Sequence, residues 1–307
     1  MKTRRRVRVR ASLALGILLV LAFAAVALAA PLLAPPQNED PYVIPRDGFS
    51  TVPKPPRPGH PLGTLEGQSD IFYGLVWGTR IAFRLGLIIT VGRALIGVLL
   101  GLISGYYGGL TDATLMRFTD AFLAFPLMAA AMVMLVIFGD ILNALPSGGR
   151  LLMSSRIEMV LIVSLILFGW MAYARLIRGN VLAEREKEYV QAAHAVGAKN
   201  GRIMLRHLLP NVTHGLFVLL ASDVGAMVVF VAAFSFMGFG ATSQSELRAD
   251  WGQMLSLARN WIIGGSPGNP FEFWYTYVPV SAAIVLFSIG WNLVGDGLRD
   301  ALDPRLR

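Results

Sequence analysis

Six stretches of the chain are apolar for long enough to cross a lipid bilayer, and this narrows its fold more than any other feature. They lie at about 11–33, 85–106, 121–138, 157–177, 212–240 and 278–293. A bilayer core takes a helix of about 20 apolar residues. Each block is too long for a strand and too apolar for a helix on a soluble surface. The expectation is an all-α integral membrane protein with six transmembrane helices. Composition agrees: 55% of the residues are hydrophobic and only 15% are charged, too few to cover a soluble domain of this size. Cysteine is absent, which excludes disulfides, thiolate metal sites and cysteine nucleophiles.

The net charge of +8 could suggest a nucleic-acid partner, but the distribution argues for none. Lys and Arg gather at the ends of the apolar blocks, where they set membrane orientation. The N-terminal MKTRRRVRVR carries six. The segment between the fourth and fifth blocks carries seven: Arg175, Arg178, Arg185, Lys187, Lys199, Arg202 and Arg206. Arg299, Arg305 and Arg307 follow near the end. Both termini and that segment are therefore expected in the cytoplasm. The first block also resembles a secretory leader, with a basic start and Ala27-Leu28-Ala29. Its apolar run exceeds a usual leader core, so an uncleaved helix is expected.

Three regions follow: 1–34, a basic tail and first span; 35–80, a proline-rich external segment; and 81–307, a core with five spans. Pro53, Pro55, Pro56, Pro58 and Pro61 forbid regular helix in the second region. The external loop at about 241–277 holds Trp251, Trp261 and Trp274, which suit anchoring at a membrane interface. Gly97, Gly101 and Gly105 recur at four-residue spacing in the second span. They mark a face for close helix approach, expected within this chain rather than to a second one.

The loop between the fourth and fifth spans, AEREKEYVQAAHAVGAKNGRIMLRHLLPN, is too long to be a mere connection. Glu184, Glu186 and Glu188 suit a helix start. Val190, Ala193 and Gly197 share a face by spacing, and Gly197 favours a turn. A second short helix would carry Ile203, Met204 and Leu208, and Pro210 fits the first turn of the fifth span. The residues alone allow two readings: a small-faced helix that enters a partner's groove, or a helix packed under its own membrane domain.

EYVQAAHAVGA followed by RHLLPN resembles the EAA loop of ABC importer permeases. Ala192, Ala193, Gly197, Leu209 and Pro210 stand at the family spacing. Gln191 replaces the usual Glu, and His207 stands at a hydrophobic position, as in the peptide-transport branch. HPLGT, WGTRIAF, SGYYGGLTD, MRFTDAFLAFP, FSFMGFGA, DWGQML and GDGLRDALDPRLR extend the resemblance from about residue 60 to the end. They are similar to the permease C chains of dipeptide and oligopeptide transporters. Two departures are LEGQSDIFYGLVWG, where the family has a Gly-Arg-Asp element, and Val231-Ala232, where an acidic residue is common. The resemblance implies a type I ABC importer permease fold in the bacterial inner membrane. It implies a coupling segment at 184–211 with Glu188, Tyr189, Gln191, Ala192, Ala193, Gly197, Ala198, Arg206, His207, Leu209 and Pro210 at the ATPase contact. It further implies a second homologous permease, two ATP-binding subunits and an external binding protein as partners, lipid as surroundings, and no cofactor of its own.

Arg93 and Asp223 fall near the middle of the second and fifth spans, where an isolated charge costs at least about 2.5 kcal/mol. They are expected to pair or to line the polar passage. His60, His194, His207 and His214 are too dispersed for a metal site. No HExxH, GxSxG or phosphate-binding GxxxxGK[ST] occurs, which argues against an enzyme and against an ATPase. The expected substrate is a dipeptide or oligopeptide. The alternatives are nickel or another small solute, or a stand-alone secondary transporter, which would carry more intramembrane ionisable groups.

Overall fold

A computed structural model describes residues 2–144, 149–213, 215–240, 247–263, 269 and 271–302, with side chains outside 2–10, 140–156, 263 and 302. The described residues are helical apart from loops and isolated bridges. Chain order is α1 (Lys2–Leu33), α2 (Ile71–Tyr107), α3 (Gly109–Leu123), α4 (Leu127–Ala144), α5 (Gly149–Leu167), α6 (Met171–Glu184), α7 (Glu188–Ala195), α8 (Asn200–Arg202), a π-helical segment Ile203–Leu208, α9 (Leu209–Val212), α10 (Leu216–Phe234), a second π-helical segment Ser235–Phe239, α11 (Trp251–Ile263) and α12 (Trp274–Leu302). Among the described residues five stretches are long and apolar enough to cross a membrane, 11–33, 71–107, 157–184, 216–239 and 274–301. The pair 109–123 and 127–139, bent by 82°, makes a sixth if it counts as one span.

The second helix begins 14 residues before the expected start at 85. Asp70 caps it, its carboxylate accepting from the Tyr73 N–H at 3.0 Å, so the first turn has a partner for an otherwise orphaned donor. Two arginines in this stretch hid it from an apolar scan. Both have partners on other elements: Arg80 Nε donates to the Ala27 carbonyl and stands over the Trp77 ring, and Arg84 pairs with Glu158. At 37 residues α2 is about 55 Å long, more than the roughly 30 Å of a hydrocarbon core.

The expected continuous third span is two helices. Pro126 cannot continue a helix from residue 122, and it disfavours helical geometry at Phe125. The chain turns at 124–126 and α4 leaves at a new angle. The fifth span is also shorter than expected. Pro210 sits in the first turn of the separate α9, and α10 starts at Leu216.

The glycine face of α2 packs within the chain. Gly97 meets Trp170, Tyr173 and Ala174, Gly101 meets Ala174 and Ile177, and Gly105 meets Val181. A methyl group on Gly105 would lie 2.8 Å from Val181 Cβ. Missing side chains thus bring α6 against α2 along three turns. On the other flank, α1 packs on α12 through Gly16 against Leu293 and Gly297 against Leu13. The start of α1 and the end of α12 therefore share one end of the bundle.

Residues 34–70 form an ordered cap over the other end. Trp77 Nε1 donates to the Ala34 carbonyl at 2.9 Å, Tyr73 Oη to the Pro41 carbonyl at 2.8 Å and Tyr275 Oη to the Pro53 carbonyl at 3.2 Å. Ile44 N–H donates to Leu247 and Ala249 N–H to Tyr42, each at 2.8 Å. Trp251 is not an interfacial anchor: it is buried among the helices, against Phe23 and Phe287. Trp274 is exposed.

Candidate coupling loop and intramembrane charge cluster

The segment after α6 lies at the end of the bundle opposite the cap. Val190 and Ala193 of α7 are buried, together with Leu102 of α2, Ile177 and Val181 of α6, and Ile203, Leu208 and Val212. Of the small face that spacing defined, Val190 and Ala193 are thus turned onto the chain's own membrane helices, while Gly197 is exposed beyond the end of α7. The opposite face is free: Glu188, Gln191, Ala192 and Ala195 are exposed, and so is Val196 just beyond. The two readings left open by the sequence coexist on one helix.

Gly197 ends α7 with φ +77°, a conformation that side chains with a Cβ disfavour. Its N–H donates to the His194 carbonyl at 2.9 Å, and the Ala198 N–H to Ala193 at 3.0 Å. No atom outside the local chain lies within 4 Å of where a Gly197 Cβ would sit, so the turn forms an open tip. Arg206 and Pro210 are exposed, while His207 and Leu209 are half-buried. Asn211 Nδ2 donates to the His207 carbonyl at 2.7 Å. Asn180 Nδ2 of α6 donates to the Val212 carbonyl at 2.8 Å, tying α9 to the bundle.

Glu184 anchors the start of the loop. It accepts from Lys187 Nζ at 2.6 Å and from Tyr189 Oη at 2.8 Å. Burial and that carboxylate push the Tyr189 hydroxyl up to about 12, so it stays a donor at any physiological pH. Arg185 Nη1 donates to the Gly105 carbonyl at 2.9 Å. Asp112 of α3 takes a two-pronged pair from Arg178 of α6 at 2.5 and 2.6 Å and also accepts from Ser104 of α2. Tyr106 of α2 reaches His194 and Asn200. Asp112 and Tyr106 were not singled out from sequence, because their partners lie on other elements; Glu184, expected at a helix start, instead closes α6, and α7 begins at Glu188.

Midway along α2, the structure brings Arg93 and Asp223 together. Arg93 Nη1 donates to the two carboxylate oxygens at 3.0 and 3.3 Å, and its Nε to the Leu165 carbonyl at 2.8 Å. Tyr173 Oη donates to Asp223 at 2.9 Å. The Arg93 side chain is 4% exposed and that of Asp223 14%. Gly169 leaves room for the guanidinium, which a Cβ there would strike. The cluster joins α2, α5, α6 and α10, and caps a carbonyl where α5 gives way to α6. Tyr173 and Gly169 carry no sequence signal for this role, being ordinary residues of an apolar span.

At the cap, His60 stands between two carboxylates, Nε2 2.5 Å from Asp47 and Nδ1 2.7 Å from Asp70. Arg57 lies 3.9 Å from Asp47. The expectation for His214 falls outside the described residues. Among the described residues no three histidine or acidic side chains converge as metal ligands.

The family described as binding-protein-dependent transport system inner membrane component matches residues 97–307. The chain belongs to this family. It is a multi-pass bacterial inner-membrane protein of the ABC permease class. A dipeptide transport system permease protein of Alkalihalophilus pseudofirmus is 33% identical over 293 residues, which cover 95% of this chain and 85% of that protein. An oligopeptide transport system permease protein of Bacillus subtilis is 34% identical, with 83% and 74% covered. A glutathione transport system permease protein of Pectobacterium atrosepticum is 32% identical, with 87% and 81% covered.

Proposed function

We propose that this permease is one membrane half of an ATP-driven importer for dipeptides or oligopeptides, and that residues 184–211 carry the motion of an ATPase into its helices. The observation that carries this reading is the two-faced α7. One face is fixed to α2, α6 and the turn before α9, and the other is open to a partner. A helix held in this way moves with the bundle when its free face is pushed. Glu188, Gln191, Ala192, the Gly197–Ala198 tip, Arg206, His207, Leu209 and Pro210 border or form that surface, while Ala193 and Tyr189 hold it from behind.

The Lys and Arg distribution supports a cytoplasmic loop and cytoplasmic termini, with residues 35–70 on the outer face. A conformational switch needs an input that binds its two states differently. The chain holds no nucleotide-binding loop, so the input comes from two ATP-binding subunits, and ATP hydrolysis belongs to them. A second homologous permease completes the passage, and an external binding protein delivers the solute. Relatives named for dipeptides, oligopeptides and glutathione support a peptide as cargo. Arg93 and Asp223 are too enclosed to grip a passing solute, and serve as a brace beside the passage.

The test is Gly197→Asp, which places a carboxylate on the open tip at a left-handed backbone position. Uptake of a labelled dipeptide by cells should fall to background while the variant remains inserted at wild-type level. Wild-type uptake by that variant would falsify the coupling role.

A further inference from the structure

The contacts around Tyr106 assign to this side chain a task beyond packing. We infer that Tyr106 is the positioning residue through which movement of α7 and the Gly197 turn reaches α2, an inference that rests on the coupling reading above. Tyr106 lies in the last turn of α2. Its ring stacks on that of His194, centroids 6.1 Å apart and planes 12° from parallel. Its hydroxyl donates to Asn200 Oδ1 at 3.0 Å, and His194 Nε2 lies 3.4 Å from the Tyr106 hydroxyl oxygen. His194 belongs to α7 and Asn200 opens α8, so one side chain bridges the two limbs of the turn and fixes their relative position.

The rest of the loop reaches the bundle differently. Val190 and Ala193 rest on an apolar cluster, and apolar contact is non-directional and lets surfaces slide. A stacked ring with a directed hydrogen bond resists sliding as well as separation. Arg185 adds a second tie close by, donating to the carbonyl of Gly105. Both ties grip the end of one continuous helix. That helix carries Arg93 at its middle and is capped by Asp70, the partner of His60, at its far end. A push on the turn is thereby delivered along the axis of α2 rather than lost in the loop.

The experiment compares wild type, Tyr106→Phe and Tyr106→Ala in the transporter purified with its partner chains and reconstituted in liposomes. Two rates are read together, uptake of a radiolabelled dipeptide and ATP hydrolysis. A merely structural defect lowers both in proportion and leaves their ratio unchanged. The inference requires the ratio of peptide moved to ATP consumed to fall. Coupling energies between sites are commonly worth fivefold or more, so the ratio should drop at least about fivefold in Tyr106→Ala. Tyr106→Phe keeps the stack and loses the hydrogen bond, and its ratio should lie between those of wild type and Tyr106→Ala. A wild-type ratio in Tyr106→Phe overturns the inference. If Tyr106→Ala does not assemble, Tyr106→Phe decides alone by the same criterion. Cross-linking of the wild-type loop to its partners is run in parallel. A loop that reaches the ATP-binding chain, combined with a wild-type ratio in Tyr106→Phe, removes Tyr106 and spares the coupling role. A loop that touches no such chain removes both.

Discussion

Changing Asp223 to Asn takes the countercharge from a guanidinium that is almost fully enclosed. Removing one member of a buried ion pair typically costs about 3–5 kcal/mol, because the other charge stays behind without compensation. The loss should sit near the low end, since the amide oxygen still accepts. A drop in the thermal unfolding midpoint of the detergent-solubilised protein reads this out. Replacing both Arg93 and Asp223 by Leu should be less harmful than Asp223→Asn, because no charge is left unpaired. An unchanged midpoint in Asp223→Asn would remove the bracing role. This pair was legible in the sequence because two lone charges in apolar spans stand out. The Tyr173 hydroxyl that completes it was not, since nothing local distinguishes that tyrosine from its neighbours.

His60 offers a second test at the same scale. Burial pulls its pKa down, but the hydrogen bonds it donates to Asp47 and Asp70 and their negative charges outweigh this, and the group lies above its ordinary 6.5. Its folded-state value is therefore the higher one. The contribution to stability is fully present below 6.5 and is lost as pH rises through the raised folded value. In His60→Gln the decline of the unfolding midpoint over that window should flatten. An identical pH profile in both proteins would contradict the charged bridge.

Among the elements, α2 shows why apolar runs locate helices better than they bound them. Its first turns escape the apolar pattern because Arg80 and Arg84 interrupt it, although an Ala27 carbonyl and Glu158 pair with them. The run at 121–138 was taken as one span because hydropathy does not register the break that Pro126 imposes on the backbone. Residue type alone places Trp251 at the interface, whereas it is buried against Phe23 of α1 and bonded to the Leu75 carbonyl of α2, both more than 150 positions away in sequence. The glycine face of α2 was readable, because a four-residue spacing has one geometric meaning on a helix. Gly101→Leu should force α6 away from α2, with overpacking of about 1–3 kcal/mol. Protease resistance of the purified variant should fall, and wild-type resistance would show that the two helices have slack.

At the level of the whole molecule, α2 links the two ends of the bundle. The cap is fixed to its start, the Arg93 cluster to its middle, and the loop to its final turn. Of the loop face that spacing defines, Val190 and Ala193 pack on the chain's own helices and Gly197 is exposed beyond the end of α7, because periodicity says neither where a helix stops nor which side of it meets its own protein. The absence of cysteine makes one measurement direct. A single thiol at exposed Ala192, introduced as Ala192→Cys, is treated with a bifunctional cross-linker in inside-out vesicles and with a membrane-impermeant thiol reagent in intact cells. The vesicles should yield one adduct with the ATP-binding subunit, and the intact cells no labelling. Labelling from outside the cell, or vesicles without that adduct while the transporter is assembled and active, would contradict a loop that carries ATPase motion into the membrane helices.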